Sequence, residues 1–392
     1  MIALGPYGAL LASGEVRYLF GTSLVGRLPI GMCGLAVLLL VQGASSSFAA
    51  GGAATGCYVA GLALAAPAMG RIIDRRGPRG MLLLCALLFP AALAALIGAV
   101  TISASPIVVL TSAVLAGASF PPITVCMRSY LRQRFGEDAA LATAYSLDSV
   151  LIEVMFIAGP MLVALFVAIA SPALAVWSAA GCAFAGVLLF LRSPALRRWR
   201  IEPRSQATLL GPLGQPAFVV LIAIVVCYAS AFGLTEIGVA AYAAEANRPA
   251  LAGVFLGVMS ATSALGGLAY GSRHWPGPLL SQFSVTLAVM GAGLLPLAGP
   301  WHAGAFGVLC ALGGVVMAPA LIIQSMLVAR TARAEHTTEA FTWSTSALLA
   351  GVGLGMALGG VLVEWWRSPA AFCAASAAAV IAAAIAYWLA RR

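Results

Sequence analysis

Five ionisable side chains lie where most chains place none. Arg27, Asp148, Glu153, Glu236 and Glu339 each fall within or at the edge of an apolar run long enough to cross a bilayer. A charge at bilayer depth costs about 2.5 kcal/mol or more unless it is paired or faces water, so each is a functional candidate by position. Arg27 stands about halfway along its run, in Gly26-Arg27-Leu28-Pro29, where it can pair with an acid or hold an anion. Asp148 and Glu153 share a second run, and Glu236 lies in the outer half of a third. A carboxyl kept from water can take a proton from one side of a membrane and release it to the other, which makes Asp148, Glu153 and Glu236 the candidates for proton coupling. Glu339 opens its run and reads as an acid in a first helical turn, where the helix dipole favours it.

At 100° per residue, Asp148 and Glu153 project about 140° apart, so one narrow helix face cannot hold both. Glu153, at a depth like that of Arg27, is the first choice as its partner; Asp148, nearer the cytoplasm, is the second. The alternative is a permanently closed ion pair that only holds two helices together. Glu236 has no base in its own run and reads as a proton site, a substrate contact or a carboxyl bonded to helix backbone. Arg27, Tyr145, Gln324 and Trp343 are the candidates for substrate binding. The eight cysteines stand singly in apolar runs and read as small hydrophobes, while His274, His302 and His336 fall in or beside loops. With no ligand cluster and no activated nucleophile, neither an enzyme nor a metal or other cofactor is expected. The glycines at 351, 353, 355, 359 and 360 read as a helix face for close approach, since no Lys-Ser/Thr follows to make a phosphate loop.

The chain that positions these residues is mostly oil. Of 392 residues 62% are hydrophobic and 8% charged, with a mean hydropathy of +1.02, whereas soluble domains carry about a quarter charged residues. The expectation is an all-α polytopic membrane protein. Runs of membrane length fall near 16–41, 48–72, 80–100, 106–128, 142–169, 172–192, 215–243, 250–271, 279–299, 303–328, 339–363 and 369–389, giving twelve spans. The first 14 residues lack the basic region and cleavage pattern of a secretory signal, so the first span is expected to be retained. The Arg- and Pro-rich stretch 194–214 reads as a cytoplasmic linker between six-helix bundles at 1–193 and 215–392.

A net charge of +9 raises the possibility of nucleic acid, but the arginines flank apolar spans, so bilayer orientation explains them and nucleic-acid binding is rejected. Eighteen of the 21 basic residues, all arginine, fall on one side of the twelve spans, which predicts both termini in the cytoplasm. The chain also repeats. Slid by 198 residues, Pro121, Arg132, Glu137 and Ser146 fall on Pro319, Arg330, Glu335 and Ser344, which makes the two bundles pseudo-symmetric.

Between the second and third spans runs Gly70-Arg71-Ile72-Ile73-Asp74-Arg75-Arg76-Gly77-Pro78-Arg79-Gly80, a charged turn at the water boundary. It resembles the signature loop of the major facilitator superfamily of transporters, matching at Gly70, Asp74, Arg75, Gly77 and Arg79 and departing at Pro78, where a basic residue is common. The resemblance implies a conformational latch, with Asp74 facing the N-terminus of a helix in the other half. The second half's loop, Gly267 to His274, lacks the Asp, so such a latch would be one-sided. Gly159-Pro160 resembles the core of the superfamily's proton-antiporter motif and reads as a helix kink, with Met155 and Val163 where that motif has glycines. In such a bundle the first and fifth spans are neighbours, which favours the pairing of Arg27 with an acid of span 5. The resemblance implies proton-coupled export of a small amphipathic compound by alternating access, from a bacterial-type inner membrane, by a monomer. Its partners would be that substrate, protons and lipids. The alternative is uptake or facilitated passage of an anionic metabolite bound by Arg27.

Overall fold

The computed structural model describes residues 5–135, 139–193, 196, 214–271, 275–331 and 337–391. It is all-α, with no strand among the described residues. The helices are α1 (Gly5–Ala12), α2 (Gly14–Ser45), α3 (Phe48–Arg76), α4 (Pro78–Thr101), α5 (Pro106–Ala118), α6 (Ile123–Phe135), α7 (Ala139–Ile169) and α8 (Pro172–Leu191), followed by α9 (Pro216–Glu245), α10 (Leu251–Gly271), α11 (Leu279–Leu294), α12 (Ala303–Gly314), α13 (Met317–Thr331) and α14 (Thr337–Ala390). The expected linker, apart from Leu196 and Gly214, lies outside the described residues.

Local chemistry sets the boundaries. Ser47 caps α3 by accepting from the Ala50 N–H at 3.1 Å. Proline stands at the first position of α4, α5, α8 and α9, where its missing N–H costs nothing. Gly77 ends α3 in the left-handed region, at φ 78°, so the expected turn at Gly77 and Pro78 is present. In α14, Arg367 takes φ 63° and breaks the helix, and Glu245 caps the onward leg by accepting from Ser368 N at 2.8 Å and Ser368 Oγ at 2.9 Å.

Ten helices among the described residues are long and apolar enough to cross a membrane, against the twelve ranges expected. Two of those ranges run together in Ala340–Ala390, across the break at Arg367. In α7, Val154–Ile169 is the apolar stretch whose side chains are described throughout. Outward faces carry large apolar side chains such as Leu64, Ile107 and Leu87, a surface suited to lipid rather than water. The exposed tryptophans Trp365 and Trp366 stand at the end of α14's first leg, as in an interfacial belt.

Two spans expected to be continuous are broken, and at matching places in the repeat. Residues 119–122 interrupt the fourth between α5 and α6, where Pro121 and Pro122 supply no N–H. The tenth breaks at 315–316 between α12 and α13, since Pro319 cannot donate to the carbonyl four residues back, and the Ala318 N–H turns to Ser263 Oγ at 3.0 Å. Interrupted helices at corresponding positions of two repeats point toward a binding site in membrane transporters.

The helices before residue 193 and those after 214 share a core at one end only. One buried cluster draws on α2, α3, α5 and α8 together with Ile237, Ala240, Met356 and Val363 of the later helices, whereas the cluster at the arginine-rich end holds residues of the earlier helices alone. Along α3, Gly51 to Gly61 is largely buried, while no described residue in 62–72 is buried. At the closed end a Cβ on Gly353 of α14 would lie 3.2 Å from the Gly56 carbonyl oxygen of α3. The bundle is therefore sealed on the face opposite the Gly77 turn, and the span-11 glycines do serve close approach: Gly353 and Gly360 face α3, Gly351 and Gly355 face α9.

Candidate functional site

Arg27 on α2 is 1% exposed and Asp148 on α7 is 0% exposed, and Arg27 Nη1 meets Asp148 Oδ1 at 2.5 Å. Arg128 on α6 brings its Nε to Asp148 Oδ2 at 2.9 Å with its own side chain half exposed. One carboxylate thus serves two guanidinium groups, each oxygen engaged. Arg27 Nε and Nη2, both buried, have no hydrogen-bond partner among the described residues.

The first choice of Glu153 as partner of Arg27 is corrected: the structure puts Asp148 there. The reason is directional. Arg27 faces Asp148, and Gly31 faces Met155 and Gly159, so α2 and α7 run the same way. Helical side chains lean toward their own N-terminus, and a long arginine therefore reaches back toward the earlier of the two acids. Arg128, counted from sequence as one more boundary arginine, is the residue the sequence reading missed. Its signal was its place on an unbroken helical stretch after Pro122 rather than in a loop.

The side chains of Glu153, Tyr145, Asp74, Arg75 and Glu339 lie outside the described ones, although the backbone of each is helical. Gly70 and Arg79 stand on α3 and α4 on either side of the Gly77 turn, with Arg79 exposed. Gly159 is the point where α7 touches α2, since a Cβ on Gly31 would lie 3.2 Å from its Cα, and the Pro160 carbonyl lies against Gly253 of α10. The pair thus brings α7 against two helices at once.

Gln324 is 5% exposed and engaged at both its oxygen and its nitrogen. Tyr228 Oη donates to its Oε1, and its Nε2 donates to Ser344 Oγ at 2.6 Å. Its place is a neutral polar trio on α9, α13 and α14, the counterpart in the repeat of the charged trio on α2, α6 and α7. Trp343 packs half-buried against the core of the later helices.

Glu236 sits alone. It is half-buried on α9 and directed at α2, where a Cβ on Gly34 would come within 2.7 Å of its Oε1. Its carboxylate has neither an ion-pair nor a hydrogen-bond partner among the described residues. Gly34 lies seven residues beyond Arg27, about 10 Å further along the helix axis, so Glu236 and the charged trio occupy different levels of one seam. A surface cavity of about 400 Å³ beside Glu245, Trp301 and Arg367 holds none of the expected residues.

A multi-pass helical bundle of two repeated helix sets, broken at matching points and holding a buried ion pair, has the architecture of a membrane transporter. A sequence profile of the Major Facilitator Superfamily matches residues 19–343, and the chain belongs to that family. The fold is similar to that of the human organic anion transporter MFSD10 (TETRAN), at 18% identity over 95% of this chain and 100% of that chain with a TM-score of 0.67. It is similar as well to the nucleoside transporter NupG, at 15% identity over 96% and 99% of the two chains with a TM-score of 0.74. A bacterial homologue of the iron transporter ferroportin in an inward-facing state matches at 14% identity over 96% and 98%, also with a TM-score of 0.74. Comparison with curated proteins finds no match.

Proposed function

We propose that the chain is a proton-coupled secondary transporter that exports a small amphipathic organic compound, and that Glu236 carries the proton. The observation that supports this is the lone Glu236 carboxylate on the seam between α2 and α9. Of the acids considered from sequence, Asp148 has both oxygens occupied by arginines, which leaves it little freedom to trade protons. Glu236 is bound to nothing that must be broken first, and the α2 and α9 helices that enclose it belong to the two sets that would move against each other. Opening on one face and then the other would give its carboxylate to each aqueous side in turn.

Export rather than uptake rests on the likeness of Gly159-Pro160 to the antiporter motif. The arginine-rich face is taken as cytoplasmic, in an inner membrane, with both termini on that side. Two six-helix units at 1–193 and 215–392 rock about the seam, joined by 194–214. On this reading Asp74 and Arg75, with Gly70, Gly77 and Arg79, latch the arginine-rich face when the opposite one opens.

Purified protein in liposomes with an imposed pH gradient tests the reading. Wild type should accumulate substrate against its gradient at the expense of protons, whereas Glu236→Gln should exchange substrate at equal concentrations yet ignore the pH gradient. Gradient-driven accumulation by Glu236→Gln equal to that of wild type would remove Glu236 from the coupling.

A further inference from the structure

The chemistry of Arg27 goes beyond its ion pair. A guanidinium offers two bidentate edges, and the one formed by Nε and Nη2 presents two parallel N–H groups spaced for the two oxygens of a carboxylate or a phosphate. Arg27 spends only Nη1 on Asp148, while Nε and Nη2, the whole of that edge, are buried and without a partner among the described residues. Buried guanidinium donors are seldom left unused, because nothing replaces the water they lose.

The neutral trio of the repeat makes the contrast. Tyr228, Gln324 and Ser344 satisfy one another, the Gln324 amide having both its oxygen and its nitrogen engaged. A structural polar cluster in this fold is thus closed on itself, and the Arg27 cluster is not. Asp148 cannot close it, since Arg128 takes its second oxygen. Arg128, half exposed, marks the outer side of the cluster.

We infer that the Nε and Nη2 edge of Arg27 is the docking edge for one anionic group, a carboxylate or a phosphate, carried by the transported compound. The inference rests on the transporter reading and names the charge class of its substrate. In the state with one face sealed the edge is covered, so docking belongs to a more open state of the cycle. Asp148 then positions the guanidinium, leaving one edge free by holding the other nitrogen. Arg27 and Glu236 divide the work, the first reading the anion and the second carrying the proton, at separate levels of α2.

The test is binding, not transport. Purified full-length protein in an uncharged detergent is titrated with benzoate, hexanoate and phenyl phosphate, each beside its neutral counterpart benzamide, hexanamide or phenol, with inorganic phosphate as a further arm. The thermal unfolding midpoint reports binding, because a ligand that favours the folded state raises it. At least one organic acid should raise the wild-type midpoint more than its neutral counterpart does. Arg27→Lys, which keeps the charge and loses the fork, should weaken that acid on the order of tenfold or more. The titration is run without a pH gradient and reads binding alone, so a failure of the proton assignment leaves this result standing. A response to inorganic phosphate alone would mean a free-anion site and overturn the substrate assignment. The inference also fails if no acid outperforms its neutral counterpart, or if Arg27→Lys binds the acid as tightly as wild type. Should Arg27→Lys not fold, the comparison of acid and neutral counterpart on wild type still decides.

Discussion

Glu364 of α14 accepts a hydrogen bond from Ser47 Oγ at 3.0 Å, across the boundary between the earlier and the later helices. The same Oε2 accepts from the Ala49 N–H at 3.2 Å, so a carboxylate sits on the N-terminus of α3, where the helix dipole favours negative charge. This bond lies at the sealed face, beside the Gly52 and Gly360 contact. Removing it should loosen the seal. A charge at a helix end is worth about 0.3–1 kcal/mol, so Glu364→Ala should raise the open population of that face roughly two- to fivefold. The measurement is the labelling rate of Val59→Cys by a membrane-impermeant maleimide, with Cys373, exposed in the native chain, replaced beforehand. An unchanged rate would reduce the bond to surface decoration.

The sharing of Asp148 between Arg27 and Arg128 predicts an order of stabilities. Asp148→Asn leaves the buried Arg27 guanidinium without its carboxylate, and breaking a buried pair from one side costs about 3–5 kcal/mol. Arg27→Leu with Asp148→Leu removes both charges and should cost less than either single change. Arg128→Gln, whose guanidinium is half exposed, should cost least of all. Thermal unfolding in detergent ranks these variants against wild type. A double variant no more stable than the singles would mean that the pair contributes net stability rather than offsetting its own burial.

How much of this was legible beforehand depends on what a single helix can reveal. The apolar runs and the buried charges are properties of one segment at a time, and Arg27, Asp148 and Glu236 could be singled out from position alone. The partner of Arg27 could not, because it follows from two helices running the same way and from the lean of an arginine toward its N-terminus. Arg128 was absorbed by the excess of arginine at the boundary, and its nearness to Asp148 needs α6 folded against α7. The breaks in the fourth and tenth spans were written in Pro121, Pro122 and Pro319, but apolar length hid them. Gln324 looked free for a substrate, and its engagement by Tyr228 and Ser344 arises only when α9, α13 and α14 meet.

The closed face depends on glycine as well as on Glu364. A Cβ on Gly56 would lie 2.8 Å from the Gly353 carbonyl oxygen, and a backbone atom cannot rotate aside. Gly56→Val must therefore part α3 from α14. Overpacking of this kind costs about 1–3 kcal/mol, and here it should fall on the sealed state alone. The expected outcome is faster labelling of the seal, as for Glu364→Ala but larger, with substrate binding retained. If the unfolding midpoint drops while labelling stays slow, the contact supports the fold and not the choice of state.

Gly34 gives a way to disturb Glu236 without removing its charge. The Cβ of an alanine there would meet Oε1 at 2.7 Å, closer than a carbon and an oxygen rest, so the carboxylate must swing away from α2. A misplacement of about 1 Å at a working group can cost up to a hundredfold in rate, whereas one methyl added to a half-buried seam costs little stability. Gly34→Ala should thus keep the fold and the unfolding midpoint while slowing proton-driven transport on the order of tenfold. Gly34→Val, with two further methyls, should slow it more. Flux driven by a pH gradient in proteoliposomes, set beside exchange at equal pH, separates the two effects: a coupling role makes the gradient-driven flux fall first, and equal loss of both would make Glu236 a spacer between α2 and α9.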